Sequence, residues 1–244
     1  MGVSALDMPT AVASIEGWVD RRARHYVCVR DVHGVMQCWR DESLRQIHQR
    51  AGMVTPDGMP LVWTAHLAGF GHVRRVYGPD LMLEVCRRSC STGWRHYFYG
   101  AAPETLELLQ ERLRVQFPGL CVAGSCSPPY RALSAQEDRA IVERINAARP
   151  DIVWVGLSTP KQERWMAEHR DALEAPVLLG VGAAFDFHAG VKPQAPRWMQ
   201  RCGLEWSHRL LTEPRRLWRR YLTCIPMFAA LMLWQYLRGS HSGR

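Results

Sequence analysis

Residues 152–157 read Ile-Val-Trp-Val-Gly-Leu, an apolar run that passes directly into Ser158-Thr159-Pro160-Lys161-Gln162-Glu163. A run this short with no polar alternation fits a strand buried on both faces, the habit of parallel sheets covered by helices. Gly156 admits close backbone approach or unusual dihedrals. Ser158 or Thr159 can cap the helix that follows, with Pro160 at its first position, where a missing N–H costs nothing. A buried strand that breaks into a helix leaves free backbone N–H groups at the carboxyl edge of the sheet, where open α/β folds bind ligands. Lys161, Gln162 and Glu163 occupy that first turn, so the stretch predicts one wall of a site for a phosphorylated ligand. A merely solvated turn would use the same residues, and the rest of the chain has to decide.

Strand and helix patterns alternate from residue 25 to residue 182. Strands are expected at 25–29, 53–55, 73–77, 96–99, 120–123, 152–157 and 177–181. Helices are expected at 41–50, 59–67, 80–91, 103–117, 134–148 and after Pro160. The clearest is 103–117, where Leu106, Leu109, Leu113 and Phe117 recur at helical spacing. Ser134 with Glu137 forms a capping box. This alternation predicts an α/β fold, Rossmann-like, with a mostly parallel sheet and helices on both faces. Residues 1–24 carry little pattern and are expected as a loose lead-in, 25–195 as the α/β domain, and 196–244 as a helical appendage. Gly180-Val181-Gly182-Ala183-Ala184-Phe185 resembles a dinucleotide fingerprint whose third glycine is replaced. It leaves a nucleotide-dependent oxidoreductase as a competing class.

The net charge of +8 is unevenly placed. Between Arg197 and Arg220 seven arginines stand against Glu205 and Glu213, so five of the eight excess positive charges sit in one segment. A local basic patch implies a local anionic partner, whether nucleic acid, phosphorylated lipid or acidic membrane. Tyr221 to Leu237 then carries no charged residue. As a helix it would span about 26 Å, short of the roughly 30 Å hydrocarbon core, and Thr223, Pro226 and Gln235 weaken a spanning helix further. Trp218 and Tyr221 at one end, and Trp234 and Tyr236 at the other, are rings of the kind found at membrane interfaces. A basic stretch followed by an apolar helix fits attachment to an anionic cytoplasmic leaflet. The alternative is a helix buried against the sheet or against a second subunit, so a homo-oligomer stays open. A basic nucleic-acid-binding module would gather arginines similarly, but the apolar segment beside them favours lipid, and no nucleic-acid partner is expected.

The eight cysteines are scattered with no Cys-x-x-Cys pair, which fits free thiols in a reducing compartment. No histidine cluster and no Asp-x-Asp pair accompany them, so neither a metal nor a cofactor is expected. Residues 1–14 lack a basic stretch followed by a sustained apolar run, so no secretory leader is expected there.

Several short stretches, taken in order, carry a resemblance to a known family. They are Pro56-Asp57-Gly58-Met59-Pro60, Arg75-Val76-Tyr77-Gly78, Tyr97-Phe98-Tyr99-Gly100 and Pro150-Asp151-Ile152. Then come Val155-Gly156-Leu157 with Pro160-Lys161-Gln162-Glu163, and Val181 to Phe187 with Gly190. The last are Ala195-Pro196-Arg197-Trp198, Gly203-Leu204-Glu205-Trp206, Arg209-Leu210 and Glu213 to Leu217. Over about residues 26–221 the set resembles the WecG/TagA/CpsF family of bacterial glycosyltransferases, glycosyltransferase family 26. The resemblance implies inverting transfer of an N-acetylmannosamine-type sugar or another hexose from a UDP-sugar to a polyprenyl-diphosphate-linked sugar. It places the protein peripherally on the cytoplasmic face of the bacterial inner membrane, in teichoic acid, capsule or exopolysaccharide synthesis.

An inverting transfer needs a base for the acceptor hydroxyl, and a carboxylate at a strand-end turn suits that role. The resemblance puts the family's proposed base on Asp57, and Arg75 matches the family's arginine before a Gly-x-Asp-Leu turn, a candidate to stabilise the leaving group. Substrate contacts are expected from His33, Gly100, Gly156, Lys161, Gln162, Glu163, Gly182 and Asp186. Arg209, Arg216, Arg219 and Arg220 are expected to meet the acceptor diphosphate or the membrane, the last three sharing one helix face. Where the family often carries Thr-x-Asn after the first strand, this chain has Arg30-Asp31-Val32, which leaves the sugar's identity open. The later Arg-Ala-Pro triplet is Gln194-Ala195-Pro196 here.

Overall fold

The apolar runs assemble into one sheet in a computed structural model that describes residues 2–239. Its strands are β1 (His25–Arg30), β2 (Met53–Pro56), β3 (Arg95–Gly100), β4 (Cys121–Cys126), β5 (Ile152–Gly156) and β6 (Val177–Gly180). All pair in parallel, in the order β2-β1-β6-β5-β3-β4. The helices are α1 (Met8–Asp20), α2 (Val32–Arg40), α3 (Glu42–Arg50), α4 (Met59–Leu67), α5 (Gly78–Thr92) and α6 (Pro103–Gln116). They continue with α7 (Ala135–Ala147), α8 (Lys161–His169), α9 (Ala184–His188), α10 (Arg197–Arg201), α11 (Glu205–Thr212) and α12 (Pro214–Gly239).

Successive side chains of β5 point to opposite faces, and both faces are covered. Ile152 and Trp154 join one apolar cluster with residues of α1, α5, α6 and α9. Val153 and Val155 join another with residues of α7 and α8. The Trp154 indole is paired inside the core. Its Nε1–H donates to His96 Nδ1 at 2.9 Å, which leaves Nε2–H of that ring to donate to Ser89 Oγ at 2.7 Å. Burial drives the His96 pKa down to about 3, so the ring is neutral and this one tautomer satisfies every partner.

Several expectations need correcting. Residues 8–20 are not a loose lead-in. Asp7 caps α1 by accepting from Thr10 N at 3.0 Å, and Ala11, Ile15 and Val19, one helical turn apart, enter the core. The stretch 73–77 is an extended strap rather than a strand. It makes isolated backbone bonds, Val76 N to Pro56 O at 2.9 Å and Arg74 N to Leu6 O at 3.2 Å, instead of a ladder. A helix, α2, directly follows β1, because Asp31 caps it by accepting from Gly34 N at 2.9 Å. Neither Ser158 nor Thr159 caps α8: Ser158 takes a φ of +65° and Pro160 occupies the N-cap position. The segment 198–220 is divided, since Gly203, at φ +70°, and Pro214 interrupt it.

The appendage is not separate from the sheet domain. Cys224 and Phe228 of α12 pack with Met36 of α2 and Leu61 of α4. The same helix leaves Leu222, Ile225, Leu233 and Trp234 exposed, so it is both a packed helix and an apolar surface. Among the described residues no helix is long and apolar enough to cross a membrane. The side chains of Arg216, Gln235, Tyr236 and Leu237 lie outside the described set.

Ile15 is fully buried, so Ile15→Ala is expected to cost about 2–5 kcal/mol of stability in denaturant unfolding. A loss below about 0.5 kcal/mol, the usual size for a surface change, would return residues 1–24 to a loose lead-in.

Candidate active site

The carboxyl ends of β1 and β6 lie side by side, and the chain leaves them toward opposite faces of the sheet. Such divergence opens a crevice at a strand edge. Here it is a polar cleft of about 190 Å³. Asp31, Asp57, Gln162, Gly182, Asp186, Lys192, Arg209 and Arg220 all line it. A second cavity of about 500 Å³ adjoins it, walled by Trp63 and Leu67 of α4, Leu204 just before α11, and Ile225, Phe228 and Met232 of α12. Asp31, Asp57 and Arg209 line both spaces. A charged cleft and an apolar cavity therefore meet at Asp57.

The backbone fixes Asp57 at that junction. Its N–H donates to Arg30 O at 2.8 Å where β2 ends, and its Oδ1 accepts from Gly78 N, the first residue of α5, at 3.0 Å. Oδ2 has no hydrogen-bond partner among the described residues and remains free to accept a proton. Desolvation is the largest influence on this carboxyl and pushes its pKa up to about 6. Arg75 and the Gly78 amide pull it down, while Glu205 and Asp31 push it up. Arg75 reaches over from the strap. Its Nε donates to the Asp57 carbonyl oxygen and its Nη2 pairs with Glu205 of α11.

On the other side of the cleft the cations are held in pairs. Arg220 of α12 reaches Asp31 Oδ2 at 2.6 Å, and Lys192 reaches Asp186 Oδ2 at 2.6 Å. Asp186 is thereby engaged with a cation, whereas among the described residues Asp57 Oδ2 is not. Gln162 is buried, and its Nε2 donates to Glu163 Oε1 at 2.8 Å. A carboxylate can only accept, so this contact fixes the orientation of the amide. The Gln162 Oε1 is left buried without a partner beside Gly182, an acceptor waiting for a ligand donor. Glu163 does not line the cleft. It makes a fully buried ion pair with Arg30 of β1, and Arg30 Nη1 also donates to Thr159 Oγ1 at 3.1 Å.

Other expected residues fall elsewhere. His33 lines the apolar cavity, its Nδ1 3.3 Å from Cys224 Sγ. Burial, then Arg220, lowers its pKa to about 4. Gly100 and Gly156 lie outside the cleft lining and serve packing. A Cβ on Gly100 would come within 2.7 Å of Gly156 O, and one on Gly156 would strike the Phe185 ring. Phe185 is itself core, edge-on to Phe98, so the Gly180-to-Phe185 stretch does not form a dinucleotide turn. Lys161 is exposed, with Nζ 4.9 Å from the centre of the Tyr130 ring. Arg219 is exposed over Trp218 while Arg220 points to Asp31, so these arginines do not act as one face. Arg216 lies outside the described side chains. Among the described residues no cluster of His, Cys, Asp or Glu gathers to hold a metal ion.

A family model for "Glycosyl transferase WecG/TagA/CpsF family" matches residues 1–242. The chain belongs to that glycosyltransferase family. Curated relatives share the printed name N-acetylglucosaminyldiphosphoundecaprenol N-acetyl-beta-D-mannosaminyltransferase. The one from Bacillus spizizenii is 34% identical over 183 residues, 75% of this chain and 68% of the relative. That of Bacillus subtilis is 26% identical over 235 residues, 93% and 89% of the two chains. That of Staphylococcus aureus is 29% identical over 187 residues, 77% and 71%.

Sequence reasoning missed Asp31, Lys192 and Tyr77 as site residues and read Glu205 only as part of a motif. Asp31 had a usable signal, an acid at a strand end three residues before Gly34. Glu205 had none, since its partner Arg75 is 130 residues away.

A carboxylate takes a proton only when ionised, so with Asp57 as the base kcat/KM for glycosyl transfer is expected to fall as pH drops through about 6. Asp57→Asn is expected to lose about 100- to 10,000-fold in rate with the fold intact. A well-folded variant with wild-type turnover would remove Asp57 from the chemistry.

Proposed function

We propose that this glycosyltransferase moves a sugar from a UDP-sugar to a sugar carried on polyprenyl diphosphate. The reaction takes place at the cytoplasmic face of the bacterial inner membrane, during assembly of a cell-wall or exopolysaccharide polymer. The observation that carries this reading is the meeting of a charged cleft and an apolar cavity at one carboxylate of raised pKa. The relatives' printed names, which specify an undecaprenol-linked acceptor, support the same division.

In this mechanism the nucleotide diphosphate lies in the polar cleft and the isoprenoid end of the acceptor in the apolar cavity. Asp57 Oδ2 takes the proton of the acceptor hydroxyl as its oxygen attacks the anomeric carbon. The bond to the UDP oxygen breaks on the opposite side, which inverts the configuration. Charge developing on the diphosphate meets Arg209, Arg220 and Lys192, all of which line the cleft. Fixed cations of this kind stabilise a leaving group without reorganising. The free Gln162 Oε1 accepts from a donor N–H or O–H group. The exposed Leu222, Ile225, Leu233 and Trp234 of α12 rest on the bilayer, which presents the lipid-linked acceptor at the cavity.

The deciding experiment incubates the protein with a panel of UDP-sugars and a short-chain N-acetylglucosaminyl-diphosphoprenol, with mass spectrometry of the lipid. A lipid product heavier by one sugar, N-acetylmannosamine being the leading donor, is expected. Because the cleft's own cations serve the diphosphate, the product is expected to form in EDTA as well. No lipid product with any donor would overturn the reading, and loss on chelation restored by magnesium or manganese would overturn its metal-free form.

A further inference from the structure

The Arg75 guanidinium stands next to the base, yet its contacts lead to other groups than the Asp57 carboxylate. Nε is spent on the Asp57 main-chain carbonyl and Nη2 on Glu205, and Cζ lies 4.0 Å from the centre of the Tyr77 ring. Among the described residues its ion pair is with Glu205, not with the Asp57 carboxylate. Glu205 is held from its other side, where Oε1 accepts from the Tyr77 hydroxyl at 3.0 Å. The Arg75 and Glu205 side chains are only 16% and 14% exposed, so little water screens these charges. A guanidinium turned onto the Asp57 carboxylate would hold it ionised and poorly basic, since an opposite charge at that range lowers a carboxyl pKa by about 1–3 units.

We propose that Glu205 is a positioning residue for proton transfer. It occupies the Arg75 guanidinium and sets its own negative charge beside Asp57, keeping that carboxylate basic enough to take the acceptor's proton. The proposal rests on Asp57 being the base. The groups facing Asp57 are Arg75 and Tyr77 of the strap, Asp31 after β1, Glu205 and Arg209 of α11, and Arg220 of α12. Across the cleft stand Asp186 and Lys192, and His33 of α2 lies on the apolar side. Asp31 pairs with Arg220 and Asp186 with Lys192, and Asp31 adds a smaller upward push of its own at Asp57. His33 is held neutral by burial. Glu205 is therefore the acid that forms the Arg75 ion pair, while the charge of Asp57 also acts on the guanidinium.

The test is a pH titration of the full chain carrying ¹³C-carboxyl aspartate, with the Asp57 resonance identified by its loss in D57N. The wild-type midpoint is expected near about 6. In E205Q the midpoint is expected to fall by roughly one unit. The acid limb of kcat/KM should move by the same amount, with KM for the donor unchanged. An E205Q midpoint at or above the wild-type value would overturn the proposal, because a merely structural Glu205 would lower activity without moving the titration. Should E205Q alone fail to fold, R75Q and R75Q/E205Q decide together: with the guanidinium gone, loss of the Glu205 charge is expected to lower the Asp57 midpoint, and equal midpoints overturn the proposal. Wild-type turnover in D57N would instead remove the base itself, whatever the titrations show.

Discussion

One buried ion pair underlies the carboxyl edge of the sheet. Arg30, the last residue of β1, meets Glu163 of α8 beneath the cleft, with the side chains 1% and 0% exposed. The pair bridges the ends of β1 and β5 across the intervening β6. Burying two charges is costly, and removing either partner leaves the other uncompensated, a penalty of about 3–5 kcal/mol. What the pair provides is geometry. Glu163 orients the Gln162 amide, Arg30 holds Thr159, and the Arg30 carbonyl accepts the Asp57 N–H. Cleft floor and base are thus fixed by the same residue.

The C-terminal helices extend this arrangement instead of standing apart from it. α11 brings Glu205 to Arg75, and α12 brings Arg220 to Asp31. Both contacts join residues more than a hundred positions apart and close the site from above. The apolar cavity is walled by both α4 and α12, with Trp63 and Leu67 of the one and Ile225 and Met232 of the other among its lining, beside the Leu61–Phe228 packing that joins the two helices. The boundary expected near residue 195 divides the chain by composition, whereas the chemistry spans it.

Much of the fold was legible because buried parallel strands and amphipathic helices write strong local patterns. Ile152 to Gly156, the Leu106 to Leu113 stripe and the Ser134–Glu137 capping box all stand where periodicity puts them. The failures share one cause, tertiary context overriding a local pattern. The strap at 73–77 is apolar enough for a strand, but it crosses the base of the site without a neighbouring strand. α1 is the exception: it carries an apolar stripe, Met8, Ala11, Val12, Ile15, Trp18 and Val19, that was legible at helical spacing and was passed over. Asp57, Gln162 and Arg220 line the cleft, while Lys161 and Arg219 face solvent. Adjacent positions on a helix differ by about 100°, and sequence alone did not show which of them turns inward.

The central claim is that donor and acceptor meet at Asp57 from two cavities of opposite character. A crystal structure of the full chain with UDP and a short-chain N-acetylglucosaminyl-diphosphoprenol tests it most directly. The account predicts UDP in the polar cleft against Arg209, Arg220 and Lys192, and the prenyl chain between α4 and α12. It predicts an acceptor hydroxyl about 2.6–3.2 Å from Asp57 Oδ2. An acceptor hydroxyl placed on another carboxylate, or a prenyl chain that bypasses the apolar cavity, would contradict it.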